Sequence, residues 1–493
     1  MKTVLVFIGF SMTFSLQART GFEITTYHKE AYDLIVGMRF EEGKELIAKI
    51  KREQPENVLV YHIENYIDFI SIFISEEEEE FRAKEPNKNL RLKKLQQGDP
   101  SDPYYLFSQA EVHLQWAMTR LKFQEYFTAA REVNKAIGML NRNQELFPDF
   151  ISNKKSLSIL HAVAGTIPDK YKGIISLVTN FSGTIDQGLR EITEVLEKTD
   201  ENYLFRKEAI AIKGMVTLHL KNDKEKAWNF LVHSELARDD NPMATFLMAN
   251  AAINCKKNDH AIEILRKRTR SPRFFPFYYL DLMLGSAKLS RLDSDADVYL
   301  KSYIQNFEGQ DYFKDAYRKL AWHALVVLEN RSLYKQYMTM CLENGVDRID
   351  EDKSALKEAE EANSGMVPNH FLLKARILFD GGYFDRALKI LSDIDINSLT
   401  SIEVLEHSYR KGRIYQEINQ VEQAIVHFSY CVNNAQALNE YYSCSSALQL
   451  GILYEAKEQD GLAEDYFRHC LQLDPPEYKS SLHQKAKAGL NRL

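Results

Sequence analysis

The sequence predicts an all-α fold, namely a right-handed superhelical α-solenoid of antiparallel helix pairs that ends in a C-terminal capping helix. Three observations support this prediction. Proline and glycine are scarce, at 12 and 21 of 493 residues, which favours helices through most of the chain. Small residues recur in pairs at a fixed separation, and large apolar residues follow each of them at fixed distances. A chain of this kind stacks repeating units and needs no single central core.

The N-terminal segment has the plan of a signal peptide. Lys2 precedes an apolar run over residues 3–16, and the small residue Ala18 stands just before Arg19. The run is shorter than the roughly 20 apolar residues that cross a bilayer. We therefore expect residues 1–18 to be removed near Ala18, so that the mature protein is periplasmic or secreted. The alternative is a buried or amphipathic first helix.

Two segments with different helical patterns follow. Residues 19–75 are predicted to form TPR-like helices of the repeating kind, whereas residues 76–200 are predicted to contain longer, atypical helices, two of them over 104–147. The run Glu76–Glu80 could bind a cation, but consecutive carboxylates on a helix point around its circumference, so we favour a solvated helix end. Asp102-Pro103 predicts a helix start. The first segment shows the pattern at Tyr27, Ala31, Leu34, Gly43, Ile47, Ile50 and Pro55.

Residues 201–365 are predicted to hold degenerate repeats. One copy has a standard separation between its small residues, one is a residue longer and one is a residue shorter, which indicates turns of different length. These copies are, in order, Ala249 with Ala261 and Leu265; Gly214 with Ala227 and Leu231; and Gly285 with Ala296 and Leu300.

Residues 366–477 carry three clear repeats, and 478–493 are predicted to be the capping helix. The small-residue pairs are twelve positions apart, with one large residue three positions after the first member and another four after the second. A proline, Pro475, follows the last repeat. The residues concerned are Ala375, Ala387, Leu378 and Leu391; Gly412, Ala424, Tyr415 and Phe428; Gly451, Ala463, Tyr454 and Phe467. This spacing is that of a tetratricopeptide repeat (TPR), in which small residues mark the crossing of two helices.

A longer passage resembles a particular TPR family. The passage is Asn143–Pro148, Lys155–Leu157, Ile167-Pro168, Ile174–Leu177, Phe181–Gly183 and Gln187–Leu189, with 285–296 further on. This order resembles the eukaryotic family that includes the Iml2 inclusion-body clearance protein and the TTC39 proteins. Leu372–Arg376 running into Phe379–Tyr383 is similar to a group of secreted bacterial repeat proteins. The resemblance implies a helical repeat fold and brings no catalytic residues with it.

Catalytic, metal and nucleic-acid sites are not indicated. Ser152–Lys155 reads S-x-x-K, but the S-D-N and K-T-G elements that accompany this motif in penicillin-binding enzymes are absent. The net charge of −7 gives no basic face for nucleic acid. The sequence has no C-x-x-C pair, so it does not support a zinc site. A disulfide among Cys431, Cys444 and Cys470 is one reading of the cysteines, and buried thiols, as also for Cys255 and Cys341, are the favoured one.

The concave face of the array is the candidate binding site. In TPR arrays the first helix of each pair lines this face at fixed positions, and counting from the small residue gives Arg376, Tyr409, Arg410, Arg413 and Gln416 as its polar lining. Arginines bind carboxylates through planar, charge-assisted hydrogen bonds. The alternative is a mixed surface whose arginines pair with Glu403, Glu406 or Glu417. The same count also assigns Asn369, Leu372, Leu373, Phe379, Glu406, Leu448, Gln449 and Glu455 to this face.

The sequence therefore predicts a non-catalytic, exported TPR scaffold that binds an unidentified protein or peptide along its concave groove. No cofactor and no nucleic acid are expected, and a membrane is reached only through a partner. The alternative function is a glycan- or nutrient-binding surface component of an outer-membrane uptake system. It rests on the aromatic segment Phe274–Tyr279, which is otherwise explained as packing between repeats.

Overall fold

A computed structural model describes residues 21–166, 181–435, 440–475 and 478–493. Those residues form 24 α-helices with short connections, and no β-strand occurs among them, which confirms the all-α prediction. The predicted signal peptide and the stretch 167–180 of the family-like passage lie outside the described residues. The chain divides into two compact units. One takes the chain up to Met243 together with Arg270–Pro276, and the other takes Ala244–Thr269 and Phe277–Leu493.

The first unit packs its helices in sequential pairs, α1 with α2, α3 with α4, α5 with α6, α7 with α8 and α9 with α10. The two long helices expected over 104–147 are present as α5 and α6. Asp102 caps α5 by accepting a hydrogen bond from the Tyr104 backbone N–H at 2.8 Å, with Pro103 in the first turn, as predicted. The helices are α1 Thr26–Val36, α2 Phe40–Glu53, α3 Leu59–Ser75, α4 Glu78–Leu95, α5 Pro103–Lys122, α6 Tyr126–Leu146, α7 Ser152–Ala164, α8 Ile185–Lys198, α9 Arg206–Met215 and α10 Lys224–Val232.

The second unit begins within α11 and contains the three clear repeats. Its pairs are α13 with α14, α15 with α16, α18 with α19, α20 with α21 and α22 with α23, while α17 packs on both α15 and α16. The first helices α15, α18, α20 and α22 lie side by side in one layer. The helices are α11 Pro242–Asn254, α12 Asn258–Lys267, α13 Tyr279–Arg291, α14 Ala296–Asn306, α15 Phe313–Val326, α16 Arg331–Glu343, α17 Asp350–Asn363, α18 His370–Asp380, α19 Phe384–Ser392, α20 Ser401–Glu417, α21 Val421–Asn434, α22 Glu440–Ala456, α23 Asp460–Gln472 and α24 Lys479–Leu490.

The small residues lie where the helices of a pair cross. A Cβ atom on Gly412 would stand 2.8 Å from ring carbons of Phe428, and one on Gly451 would stand 2.5 Å from ring carbons of Phe467. Both rings are fully buried, as are Ala424 and Ala463. The spacing of small and aromatic residues in the sequence therefore corresponds to direct contacts between helices, as predicted.

The degenerate copy with one extra residue contains a π-helical turn. α9 is followed directly by the π-helical turn Val216–Leu220, and α10 then begins at Lys224. A π turn accommodates one more residue than an α turn. The extra residue is absorbed there, because the Gly214 position still lies against Leu231, as in the regular repeats.

The capping helix is present as α24. Its residues Leu482 and Ala486 are buried in one apolar cluster with Ala463, Phe467 and Cys470 of α23. A Cβ atom on Gly489 would also meet the Phe467 ring. α24 thus covers the last repeat, as a terminal repeat of a solenoid requires.

Candidate functional site

The five predicted binding residues lie on two neighbouring first helices of the second unit. Arg376 is on α18, and Tyr409, Arg410, Arg413 and Gln416 are on α20. Their neighbours come from α15, α18 and α22. We use the name arginine cluster for Trp322, Arg376, Phe379, Tyr409, Arg410, Arg413 and Gln416.

Aromatic rings orient two of the three arginines. The Arg376 guanidinium lies 4.9 Å from the centre of the Trp322 ring. The Arg413 guanidinium lies 5.4 Å from the centre of the Phe379 ring and donates a hydrogen bond to the Tyr409 hydroxyl at 3.1 Å. Stacking on a ring contributes about 0.5–2 kcal/mol and restricts the side chain. Neither guanidinium forms an ion pair with a carboxylate of the described residues. Glu417, one turn along α20, nevertheless adds to the Tyr409 interaction that raises the pKa of Arg413 against the effect of burial.

Arg410 pairs with a glutamate, which is the alternative to carboxylate binding that the sequence left open. Its Nε donates to a Glu406 carboxylate oxygen at 2.7 Å, and the two side chains are 17% and 20% exposed. Burial disfavours the charged guanidinium, but the Glu406 carboxylate outweighs it and raises the pKa of Arg410. Glu403, in contrast, accepts a hydrogen bond from the Thr400 backbone N–H at the start of α20. Arg410 is therefore neutralised within the protein.

Tyr409 is a buried member of the cluster, only 6% exposed. Its hydroxyl is 2.9 Å from the Ser445 hydroxyl on α22. Burial alone would raise its pKa, but the Arg413 charge, with hydrogen bonds from Ser445 and Arg413, lowers the pKa of Tyr409. The Gln416 amide donates to the Gln449 side-chain oxygen at 2.9 Å, which links α20 to α22. Tyr409 and Gln416 thus hold α20, which carries Arg410 and Arg413, against α22.

Several other positions counted onto the concave face are not there, and this part of the prediction is wrong. Leu372, Leu373 and Leu448 are buried in apolar clusters. Asn369 caps α18 by accepting a hydrogen bond from the Phe371 backbone N–H at 3.1 Å. The count fails because these side chains pack against neighbouring helices: Leu372 against α19 and α20, Leu373 against α15, and Leu448 against α23.

A buried charged cluster in the first unit was missed by sequence reasoning. Lys155 is fully buried on α7, and its Nζ lies 2.5 Å from a Glu111 oxygen on α5 and 2.9 Å from a Glu208 oxygen on α9. The Glu208 carboxylate also accepts hydrogen bonds from Tyr32 at 2.9 Å and from Tyr66 at 2.8 Å. Side chains from five helices, α1, α3, α5, α7 and α9, therefore belong to one hydrogen-bonded cluster that contains Lys155. In the sequence, Lys155 stands between Lys154 and Ser156, a pattern that is typical of a solvated position. Nothing in that pattern indicates the cluster.

This cluster also accounts for the S-x-x-K motif. A catalytic lysine must be neutral to take the serine proton. The Glu111 and Glu208 carboxylates outweigh burial and raise the pKa of Lys155, so the lysine stays protonated. The Ser152 hydroxyl instead accepts a hydrogen bond from the Tyr203 hydroxyl at 3.1 Å. The arrangement holds helices together and lacks a base for nucleophilic catalysis.

The acidic run is a helix boundary, as favoured. Glu76 ends α3 in a left-handed conformation with φ 57°, and Glu78 begins α4. Its carboxylates pair with separate cations, Glu76 with Lys122 at 2.5 Å and Glu78 with Arg82 at 3.4 Å. Within the described ranges, no three His, Cys, Asp or Glu side chains are grouped so as to hold a metal ion. None of the described helices is long and apolar enough to cross a membrane.

Rings of the aromatic segment Phe274–Tyr279, on which the alternative function rests, pack against neighbouring residues within each unit. In the first unit, the Phe275 ring lies 5.1 Å from that of Phe40, and its backbone N–H donates to Met38. In the second unit, the Phe277 and Tyr279 rings pack against the Ala249–Leu265 core. This supports the packing explanation for these residues.

The second unit also has a cavity of about 690 Å³ that contains no residue of the arginine cluster. It is lined at the helix ends by apolar residues such as Phe371 and Ile394, by Glu329, Asp393 and other carboxylates, and by Arg331. The predicted site and this cavity are therefore different surfaces.

Comparison with known proteins agrees with the repeat assignment. A tetratricopeptide repeat family model matches residues 445–477, which is the last clear repeat. No curated protein matches the chain. Among solved structures, a chain in the crystal structure of the APC/C hetero-tetramer Cut9-Hcn1 aligns at 12% identity and a TM-score of 0.26, covering 92% of this chain and 95% of that one. The resemblance to the Iml2 and TTC39 family stays a prediction. The family match and the helix pair α22 with α23 identify residues 445–477 as a tetratricopeptide repeat.

Proposed function

We propose that this chain is a non-catalytic repeat scaffold that binds a protein or peptide partner on the face formed by α18, α20 and α22. The observation that carries the proposal is the pair Arg376 and Arg413, which rings and a phenol hold in place and which form no ion pair with a carboxylate of the described residues. An oriented guanidinium binds a carboxylate through two parallel hydrogen bonds. The partner should therefore present an acidic side chain or a C-terminal carboxylate.

The remaining members of the cluster support this role. Arg410 is already paired with Glu406, so it shapes the surface and adds no net charge. The hydrogen bonds of Tyr409 to Ser445 and of Gln416 to Gln449 fix α20 against α22. A site on rigid helices loses little conformational entropy when it binds a ligand.

Display of a peptide library with randomised C-terminal residues, followed by calorimetric titration of selected peptides, tests the proposal. The double variant Arg376→Gln/Arg413→Gln should bind at least about 100-fold more weakly, because it loses at least one charge-assisted hydrogen bond per arginine, each contributing about 1.5–3 kcal/mol. Replacing the peptide carboxylate by an amide should have a similar effect on the wild-type protein.

Arg468→Gln is the matched control. Arg468 is 63% exposed on α23 and pairs with Glu464 one turn away, so its replacement makes the same kind of change, the loss of one arginine charge, on a second helix. Equal affinities of the double variant and of the wild-type protein for every selected peptide would contradict the proposed site.

We further propose that the protein is exported, on the basis of Lys2, the apolar run over 3–16 and Ala18. Expression of the full chain in a bacterium, followed by N-terminal sequencing of the periplasmic fraction, should give a mature chain that starts at Arg19. Recovery of the uncleaved chain in the cytoplasm would refute export without affecting the binding proposal.

A further inference from the structure

Two cysteines face each other between the helices of the last repeat. Cys444 on α22 and Cys470 on α23 have their Sγ atoms 3.5 Å apart. Both side chains are fully buried, in one cluster with Leu482 and Ala486 of α24. The sequence left three pairings open among Cys431, Cys444 and Cys470, and the structure places this pair together.

We propose that Cys444 and Cys470 are a redox-active pair that closes to a disulfide and fastens the last repeat. A disulfide places its sulfur atoms about 2.05 Å apart, so an approach of about 1.5 Å is needed, which side-chain rotation can provide. Cys431 and Cys341 lie elsewhere. Their Sγ atoms contact backbone carbonyls, Leu405 at 3.4 Å and Lys314 at 3.3 Å.

The reaction requires an oxidant, and a small-molecule disulfide such as oxidised glutathione is sufficient. One cysteine thiolate attacks a sulfur of the oxidant, forms a mixed disulfide and releases one small thiol. The second cysteine thiolate then attacks the protein sulfur of that mixed disulfide and releases the other small thiol. The two cysteines lose two electrons and two protons, and the oxidant gains both.

Burial makes the reaction depend on opening of the repeat. The adjacent Cys444 thiol, together with burial, raises the pKa of Cys470, so little thiolate exists while the repeat is closed. α24 covers the pair from one side and packs against α22 and α23. Single helices of a repeat array can open locally without unfolding of the whole chain. Loosening of α24 therefore controls access of an oxidant to the pair.

The disulfide would act on the helix that supports the arginine cluster. α22 carries Ser445 and Gln449, which bond Tyr409 and Gln416. A covalent link from α22 to α23 would reduce opening of this support. The proposed pair is independent of the identity of any partner, so its failure would leave the binding proposal standing.

The test is incubation of the purified protein in buffers of oxidised and reduced glutathione at several ratios. After acid quenching and alkylation, proteolysis without reduction should yield the Cys444 peptide joined to the Cys470 peptide, two hydrogen atoms lighter than their sum. Cys431→Ser should give the same product. Cys470→Ser, with folding checked by circular dichroism, should leave Cys444 alkylated or bound to glutathione.

Leu482→Ala keeps the test decisive if the native repeat opens too slowly. This change removes a buried contact of α24 and should speed cross-linking at least tenfold, because the smaller side chain makes opening of the repeat easier by at least about 1.4 kcal/mol. The proposal is refuted if Cys444 and Cys470 both remain alkylatable in Leu482→Ala at the most oxidising ratio. It is equally refuted if the main cross-link contains Cys431.

Discussion

Gly451→Ala tests whether the contact of small and aromatic residues sets the spacing of the repeats. The added Cβ would stand 2.5 Å from Phe467 ring carbons, about 1 Å less than an ordinary contact. The ring has no room to retreat, because it is fully buried and Gly489 of α24 lies close to it as well. Overpacking of this kind costs about 1–3 kcal/mol.

The gain in helix propensity must be separated from this cost. Alanine stabilises a helix interior by about 1 kcal/mol relative to glycine. Gly138→Ala, in the interior of α6, gives this gain alone, because a Cβ there meets nothing within 4 Å. The free energy of opening of Gly451→Ala should therefore change less favourably than that of Gly138→Ala, by about 1–3 kcal/mol.

Native-state hydrogen exchange, measured by mass spectrometry on peptides from α22, α23 and α6, gives the two local free energies of opening. A local measurement is needed because repeat arrays do not always unfold in a single step. If Gly451→Ala and Gly138→Ala stabilise their helices equally, the Gly451–Phe467 contact does not fix the helix crossing and the reasoning fails.

Three further predictions concern helix ends, buried charge and pH. Thr400→Ala, which removes the capping box of α20, should lower the free energy of unfolding of the second unit by about 1 kcal/mol in a denaturant titration. Lys155→Met should destabilise the first unit by about 3–5 kcal/mol because it leaves the buried Glu111 carboxylate and the partly buried Glu208 carboxylate without a cation. Lys154→Met removes a partly exposed pair and should cost under about 1 kcal/mol; similar losses would show that the buried cluster does not hold the helices. Burial lowers the pKa of His62 to about 3, below its unfolded value. The neutral, buried His62 therefore contributes fully to the free energy of unfolding of the first unit above pH 6.5. That contribution is lost as the pH falls towards 3, and the free energy of unfolding falls by up to about 1.4 kcal/mol per pH unit. His62→Phe should flatten the decline of first-unit stability over that range, and an unchanged pH profile would count against a neutral, buried His62.

The sequence predicts best what depends on neighbours close along the chain. Gly412 with Phe428 and Gly451 with Phe467 were found because both partners lie within one helix pair, at a spacing fixed by helix geometry. The additional residue between Gly214 and Ala227 could also be predicted. The structure that accommodates it could not, because a π turn and a longer loop add the same number of residues to the sequence.

Contacts between distant helices could not be predicted in this way. Lys155 reads as a surface residue until α5 and α9 bring Glu111 and Glu208 to it. Leu372 was placed on the binding face by a count along one helix, and that count does not show that α19 and Ile414 of α20 cover the side chain. The same limit applies to the arginines. Arg410 forms an ion pair with Glu406 one turn away on its own helix, whereas Arg413 stacks on the Phe379 ring of another helix.

The central claim is that a partner binds the face formed by α18, α20 and α22. Photo-cross-linking tests it most directly, with a selected acidic peptide that carries a photoreactive group beside its carboxylate and with mass spectrometry to locate the bonds. The account predicts cross-links to residues of these first helices around Arg376 and Arg413, and their loss in Arg376→Gln/Arg413→Gln but not in Arg468→Gln. Cross-links that fall on α19, α21 and α23, or in the first unit, would contradict it.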